Sequence, residues 1–314
     1  MEKQIFQLIQ SYDSIIISRH KSPDLDAYGS QFGLYYALKN RFPNKKIYAI
    51  GDTNALNHFQ EMDKVEKGVL EKSLLMILDT SVKQMLLDDS YLYADKVVII
   101  DHHQNDSDLK YDLYYRNTEI SSCSEMIATF LINNKIEITN ESAKALFMGI
   151  VGDTGRFLFA NVKPETFKVA AALLETGIDL LPLYNSMYIE SLKMKKVKGE
   201  YLNSFLLSKN NVGYRKNDAE FLKKHQLDSN TVSRGLANQL SGIKEIPIWA
   251  NFTYDLTSGM ILCELRSREF PIVDVAKKYG GGGHLLACGC TVATWEETDL
   301  IIKDLDHLLE ENHG

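Results

Sequence analysis

Three short apolar runs, 15–17, 74–78 and 97–100, each lead into residues that can bind a metal: His20, then Asp79, then Asp101 with His102 and His103. In His20-Lys-Ser-Pro-Asp24-Leu-Asp26 two further carboxylates follow the imidazole. Two residues apart in an extended loop, they point to the same side. A last acid, Asp153, stands in Gly152-Asp153-Thr154-Gly155 after apolar residues at helical spacing over 142–151. Together these acids and imidazoles form a hard oxygen and nitrogen donor set that suits Mn²⁺, with Mg²⁺ or Co²⁺ as substitutes; zinc fits less well without thiolates. Two ions about 3.5–4 Å apart need a bridging carboxylate and support in-line attack of water on phosphorus. Asp79, alone at its strand end, is the candidate bridge. Taken singly, such an Asp is often a helix cap and such a His a structural residue. The repetition of the pattern points instead to one centre.

The elements must bring these residues together. A short aliphatic run bounded by polar residues reads as a strand of a parallel sheet buried on both faces. Loops leaving the carboxyl ends of such strands converge on one crevice. A helix is expected over 26–40, stopped by Arg41-Phe42-Pro43, then a strand at 46–50 and helices at 81–87 and 124–131. The first part is therefore an α/β domain with a mostly parallel, doubly wound sheet and right-handed crossovers. Between 183 and 200 the chain turns Lys-rich, with Lys193, Lys195, Lys196 and Lys198, and reads as a connector. Strand-like stretches at 246–254 and 260–265, with helices at 231–240 and 295–309, predict a smaller α+β second domain. The expected division is 1–185, a connector at 186–205, and 206–314.

The chain has 314 residues, 45% hydrophobic and 25% charged, enough for two cores. A net charge of −7 argues against broad adhesion to long nucleic acid, but leaves room for a short nucleotide whose phosphates are met locally. Cys123, Cys263, Cys288 and Cys290 are too few and too unevenly spaced for a disulfide framework, which fits a reducing cytoplasm. The segment MEKQIFQLIQSYDS lacks a signal-peptide core, and no stretch approaches the roughly 20 apolar residues that span a bilayer. The expectation is a cytoplasmic protein with no membrane partner. No heptad seam stands out, so a homo-oligomer is left open.

Four consecutive glycines, Gly280, Gly281, Gly282 and Gly283, precede His284. Such a run has little use in a core and is expected as a loop that brings backbone N–H groups against an anion. His284 would project from it towards a phosphate. Arg266 and Arg268, flanking Ser267, would lie on one face of a strand and offer forked donors to another phosphate. Arg156 is a candidate for stabilising charge on a phosphoryl group. Ser122-x-x-Glu125 reads as a helix cap. His58, His225, His307 and His313 stand apart from every motif.

In order and spacing, His20-x3-Asp24-x-Asp26, Asp79-Thr80-Ser81, Asp101-His102-His103 and Gly152-Asp153-Thr154-Gly155 resemble the motifs of the DHH phosphoesterase superfamily. Arg266-Ser267-Arg268 with Gly280 to His284 resembles the DHHA1 substrate-binding domain, and the two-domain layout resembles the NrnA-type subgroup. The resemblance implies that His20, Asp24 and Asp79 hold one Mn²⁺, and Asp26, Asp79, His102 and Asp153 a second. It implies that His103 faces the substrate, hydrogen-bonding the scissile phosphate or protonating the leaving oxygen, and that Asp101 orients a ligand imidazole. Gln104 and Cys288 depart from the usual pattern without touching a proposed ligand.

The implied activity is hydrolysis of short single-stranded oligoribonucleotides to mononucleotides and removal of the 3′-phosphate from 3′-phosphoadenosine 5′-phosphate (pAp). No stable complex with long nucleic acid is expected. Closure of the second domain over the metals would select substrates by the spacing of two phosphates. Alternatives are an inorganic pyrophosphatase, a phosphodiesterase for linear or cyclic dinucleotides, and a nucleotide-binding module without turnover.

Overall fold

The apolar runs that carry the candidate ligands are strands of one sheet in the computed structural model, which describes residues 1–312. Strands β1 (Ser14–Arg19), β2 (Lys46–Ala49), β3 (Leu74–Leu78), β4 (Lys96–Asp101) and β5 (Leu113–Arg116) pair in parallel in the order β2-β1-β3-β4-β5. The unbroken apolar character of β1, β3 and β4 has a direct cause. Ile15, Ile17, Leu74, Met76, Leu78, Val98 and Ile100 enter one core, while Ile16, Leu75, Ile77, Val97 and Ile99 enter another on the opposite face. Full burial of each such side chain contributes about 1.5–3 kcal/mol. A polar residue at any of these positions would lose that.

The two faces are covered unequally. Helices α1 (Glu2–Ser11), α2 (Leu25–Arg41), α4 (Cys123–Asn133), α5 (Asn140–Asp153), α6 (Pro164–Glu175) and α7 (Leu180–Tyr188) supply the larger core. The other face is covered by Leu70 of the short α3 (Lys67–Leu70) and by Leu86, Tyr91 and Leu109 from turns. The helix expected over 81–87 does not form; only a 3₁₀ turn at Lys83–Met85 is present. Its backbone is used elsewhere. Asp108 accepts from Lys83 N at 2.6 Å, Ser107 Oγ donates to Ser81 O at 2.8 Å, and Met85 O accepts from Lys21 N at 2.7 Å.

The chain divides into two compact units, Met1–Ile189 and Glu190 onward. The second begins with α8 (Leu192–Asn203), followed by β6 (Leu206–Leu207), β7 (Val212–Asn217), α9 (Ala219–His225), α10 (Ser229–Leu236), β8 (Ile248–Tyr254), β9 (Ile261–Ser267), α11 (Val273–Lys278), β10 (Gly282–His284), β11 (Ala287–Val292) and α12 (Trp295–Asn312). Its sheet runs β10-β11-β9-β8-β7-β6, antiparallel except for β7 with β8. Helices α11 and α12 cover one face, while α8, α9 and α10 cover the other. The glycine run is thus not a free loop. Gly282–His284 is an edge strand in a hairpin with β11, turning at Leu285-Leu286.

His313 lies outside the described residues. Among the described residues no helix is long and apolar enough to cross a membrane.

Candidate metal centre

The strand order places β1 beside β3, with β2 on the other side of β1, so the direction of winding reverses between β1 and β3. Loops on either side of such a reversal part and open a crevice at the carboxyl ends. His20 and Asp79 flank that point, and His102 follows β4 next door. Asp79 adopts φ 61°, a left-handed conformation that costs a non-glycine residue about 1–2 kcal/mol. Its carboxylate stands between two imidazoles: Oδ2 is 3.4 Å from His20 Nε2, and Oδ1 is 3.4 Å from His102 Nε2.

Candidate ligands lie on both sides of this carboxylate. On one side His20 Nε2 also lies 3.7 Å from Asp24 Oδ1, while His20 Nδ1 is 2.9 Å from Lys21 O. That contact turns Nε2 towards the acids. Asp24 has a second role as the cap of α2, accepting from Asp26 N and Ala27 N, both at 3.0 Å. On the other side His102 Nε2 lies 3.3 Å from Asp153 Oδ2 and 3.8 Å from Asp26 Oδ2. The sets His20, Asp24, Asp79 and Asp26, His102, Asp153 are each compact enough to hold one ion.

Asp26 and Asp153 come from α2 and α5, which must cross closely to deliver them. Gly29 is one helical turn after Asp26, and Gly149 one turn before Asp153, so each glycine shares a face with its acid. A Cβ on Gly149 would stand 1.9 Å from Ser124 Oγ and 3.0 Å from Asp26 Oδ1; one on Gly29 would stand 2.6 Å from Ala145 O. Asp26 in turn accepts from Cys123 N at 2.7 Å and Ser124 N at 2.8 Å, at the amino end of α4. Sequence reasoning missed these amides and glycines. Glycines at helical spacing from the acids were the available signal.

Electrostatics show what the cluster asks for. Burial disfavours the imidazolium of His20, but Asp24 and Asp79 outweigh it and raise its pKa to about 11. His102 is raised to about 10 against burial by Asp79, Asp26 and Asp153. Burial first, then Asp79, pushes Asp26 up to about 7, and Asp153 rises well above the carboxylate range for the same kind of reason. Asp79 itself is lowered despite burial, because His102 and His20 hold its anion. Burial and like charge thus oppose full ionisation of Asp26 and Asp153. Asp79 Oδ1, Asp101 Oδ2 and His102 Nε2 are buried without hydrogen-bond partners, the 3.4 Å approach of His102 to Asp79 lacking hydrogen-bond geometry. Uncommitted oxygen and nitrogen donors among crowded carboxyls fit a divalent metal.

Asp101 differs from expectation. Its Oδ1 is 2.7 Å from His103 Nδ1 and accepts from His103 N at 3.3 Å, so it orients His103 and not the imidazole of His102. The reason is geometric: Asp101 ends β4 pointing into the sheet, fully buried, and the chain turns back over it at His103. Ser122 caps α4 as expected, accepting from Glu125 N at 3.0 Å.

The remaining candidates belong to neither ligand set. Arg156 follows α5 in a left-handed turn, with φ 54°, 65° and 64° at Gly155, Arg156 and Phe157, and its guanidinium stacks 5.1 Å over Tyr188. In the second unit the register Arg266↔Ala287↔His284 puts Arg266 and His284 on one face, with only an alanine between them. Arg268 is not on that face. It lies beyond β9 and bonds the carbonyls of Ile243, Lys244 and Ile246. Ser267 is buried and caps the following turn, accepting from Phe270 N at 2.8 Å. Gly281 has a packing reason, since a Cβ there would stand 2.1 Å from Gly289 O, and Gly283 takes φ 135°. Gly282 meets nothing.

Comparisons with known proteins bear on both domains. The DHH family, N-terminal domain, matches residues 14–150, and the DHHA1 domain matches 220–311. The bifunctional oligoribonuclease and PAP phosphatase NrnA of Bacillus subtilis (strain 168) is 34% identical over 320 residues, covering 99% of this chain and 100% of that protein. The probable NrnA of Streptococcus mutans is 33% identical and covers 98% and 99%. Among solved structures, an exopolyphosphatase-related protein from Bacteroides fragilis has a TM-score of 0.87 at 24% identity, covering 98% of this chain and 97% of that one, a likeness of fold. With both domains matched in order and a relative 34% identical from end to end, the chain belongs to the DHH family of metal-dependent phosphoesterases, in the two-domain form that ends in DHHA1.

Proposed function

We propose that this protein is a cytoplasmic two-metal phosphohydrolase that uses Mn²⁺, cleaves oligoribonucleotides of a few residues to mononucleotides, and converts pAp and water to AMP and phosphate. The observation that carries the reading is the Asp79 carboxylate, 3.4 Å from both His20 and His102 and so between two compact donor groups, in a chain that aligns end to end with enzymes named for these two activities. His20, Asp24 and Asp79 would hold one ion, and Asp26, Asp79, His102 and Asp153 the other. Ions bound in such a centre activate water and neutralise charge on the phosphoryl group.

The chain's own groups supply the rest. His103, held through Nδ1 by Asp101, would face the scissile phosphate or the leaving oxygen, where an imidazolium can release its proton. Burial lowers the pKa of His103, but Asp101 and then Asp79 outweigh it and raise it, which favours the imidazolium. In the second domain, taken as 206–314 after a 186–205 connector, Arg266 and His284 on their common face, with the Gly281–Gly283 strand edge, would meet a further phosphate. Ser267 and Arg268 would hold the strand end from which Arg266 projects. Arg156 would add charge beside Asp153 in the first domain, 1–185.

The test is Mn²⁺-dependent turnover of pAp and of a 5′-labelled RNA trimer by one preparation, with Asp79→Ala and His284→Ala as controls. Hydrolysis of both, abolished by the first change and raised in KM by the second, is expected. Inactivity on both would overturn the reading and redirect assays to pyrophosphate and cyclic dinucleotides.

A further inference from the structure

The loop that carries His20 and Asp24 is held from behind by residues that touch no candidate ligand atom. Arg19, the last residue of β1, has a side chain with 0% exposure, although a charged guanidinium is rarely buried without a reason. Its donors are all engaged around one place. Nε donates to Gln31 Oε1 at 3.0 Å, and NH1 donates to His20 O at 3.1 Å and Asp52 Oδ1 at 3.1 Å. NH2 donates to Asp52 O, and the guanidinium lies 4.5 Å over the Tyr28 ring. Gln31 is locked in turn, donating to Ile17 O at 2.7 Å and Ile50 O at 2.8 Å.

The segment following β2 completes the contact. Asp52 uses its second oxygen to accept from Ser22 N at 2.8 Å, which stabilises Ser22 in a left-handed conformation at φ 52°. Asn54 Nδ2 donates to Pro23 O at 2.6 Å, and Asn54 N donates to Tyr28 Oη at 3.0 Å. Gly51, at φ 147°, makes room: a Cβ there would stand 2.9 Å from the Arg19 guanidinium. Backbone groups of His20, Ser22 and Pro23, all within the ligand loop, are therefore tied to residues 19, 52 and 54. A carboxylate on the edge strand's loop neutralises the buried guanidinium and grips the loop in the same contact.

We infer that Arg19, Asp52 and Asn54 are positioning residues that hold the His20–Asp24 loop in ligand geometry and so set the affinity of the centre for its divalent ion. A ligand pair on an untied loop would have to be ordered when the ion arrives, and affinity would fall by the cost of that ordering. Groups that orient metal ligands typically change affinity by about 10–100-fold when removed. The inference rests on the metal-centre part of the reading above, not on its substrates.

The test is calorimetric titration of Mn²⁺ alone into the metal-stripped full chain. Asp52→Ala should weaken binding by about 10–100-fold and Asn54→Ala by about 10-fold, with turnover at saturating Mn²⁺ close to wild type in both. Ser73→Ala is the control. It removes buried bonds to Ser14 Oγ and Val69 O at the opposite end of the same sheet, and should lower Tm while leaving Mn²⁺ affinity unchanged. Unchanged affinity in both clamp variants, or an equal loss in Ser73→Ala, would overturn the inference. Should Asp52→Ala not fold, the exposed Asn54 decides the matter. A wild-type chain that binds no divalent ion would overturn the metal centre itself, a result distinct from failure of the clamp.

Discussion

Asp79 Oδ1, Asp101 Oδ2 and His102 Nε2 in the first unit are buried without hydrogen-bond partners, whereas Arg266 and Arg268 in the second are committed to the protein's own acceptors. Arg266 bonds Leu265 O at 2.9 Å, Cys288 O at 3.2 Å and Glu264 at 2.9 Å. The difference follows from the ligand each site would take. Asp24 and Asp26 already accept backbone N–H groups, but a carboxylate oxygen has a further lone pair for an ion, and Asp79 leaves Oδ1 uncommitted. An arginine has five N–H donors and can be anchored by some while presenting the rest. The first unit thus holds two of its acids at the amino ends of helices, and the second holds its arginines on carbonyls and a carboxylate.

The comparison can be broken most sharply at Asp79. Asp79→Ala should cut hydrolysis by about 10³-fold or more, because electrostatic and water-activating contributions vanish together. It should also abolish thermal stabilisation by divalent ions, which in the wild type amounts to about 2.7 kcal/mol at an ion concentration 100 times Kd. Differential scanning with and without Mn²⁺ measures it. Retention of the Tm rise would remove Asp79 from the centre.

Asp101→Asn comes next. Leaving His103 without its anionic partner should lower kcat by about 10²-fold, while Mn²⁺ affinity changes little, since Asp101 contacts His103 alone among the imidazoles. A comparable loss of metal binding would place His103 among the ligands, with which it is also grouped by distance. Gly149→Ala should lose about 1–3 kcal/mol by overpacking against Ser124 and Asp26. At about 2–4 °C per kcal/mol, a thermal melt resolves that.

The smallest effects are expected in the second unit and separate its two arginines. Arg266→Ala should raise KM for pAp about 10-fold with kcat nearly unchanged, as removal of one phosphate contact does. Arg268→Ala, whose guanidinium is occupied by backbone carbonyls, should lower Tm more than it raises KM. Equal KM effects would mean that both reach the substrate.

The parallel sheet was legible because strands buried on two faces must be apolar throughout, and so were the candidate ligands, because acids and imidazoles recur at the ends of those strands. Helices α2, α4, α5 and α12 were legible for a similar local reason, their apolar spacing. Segment 81–87 was misread because its bonding partners, Lys21, Ser107 and Asp108, are distant in sequence and outcompete helix formation. The glycine run was read as a loop because edge-strand pairing with β11 is a property of the partner strand. Packing added that Arg268 turns to carbonyls, that Gly29 and Gly149 let two acids converge, and that Arg19 and Asp52 tie the His20–Asp24 loop. Each depends on which surfaces meet, and a contact between residues 97 or 33 positions apart, as for Asp26 with Cys123 or Arg19 with Asp52, leaves no periodic trace along the chain.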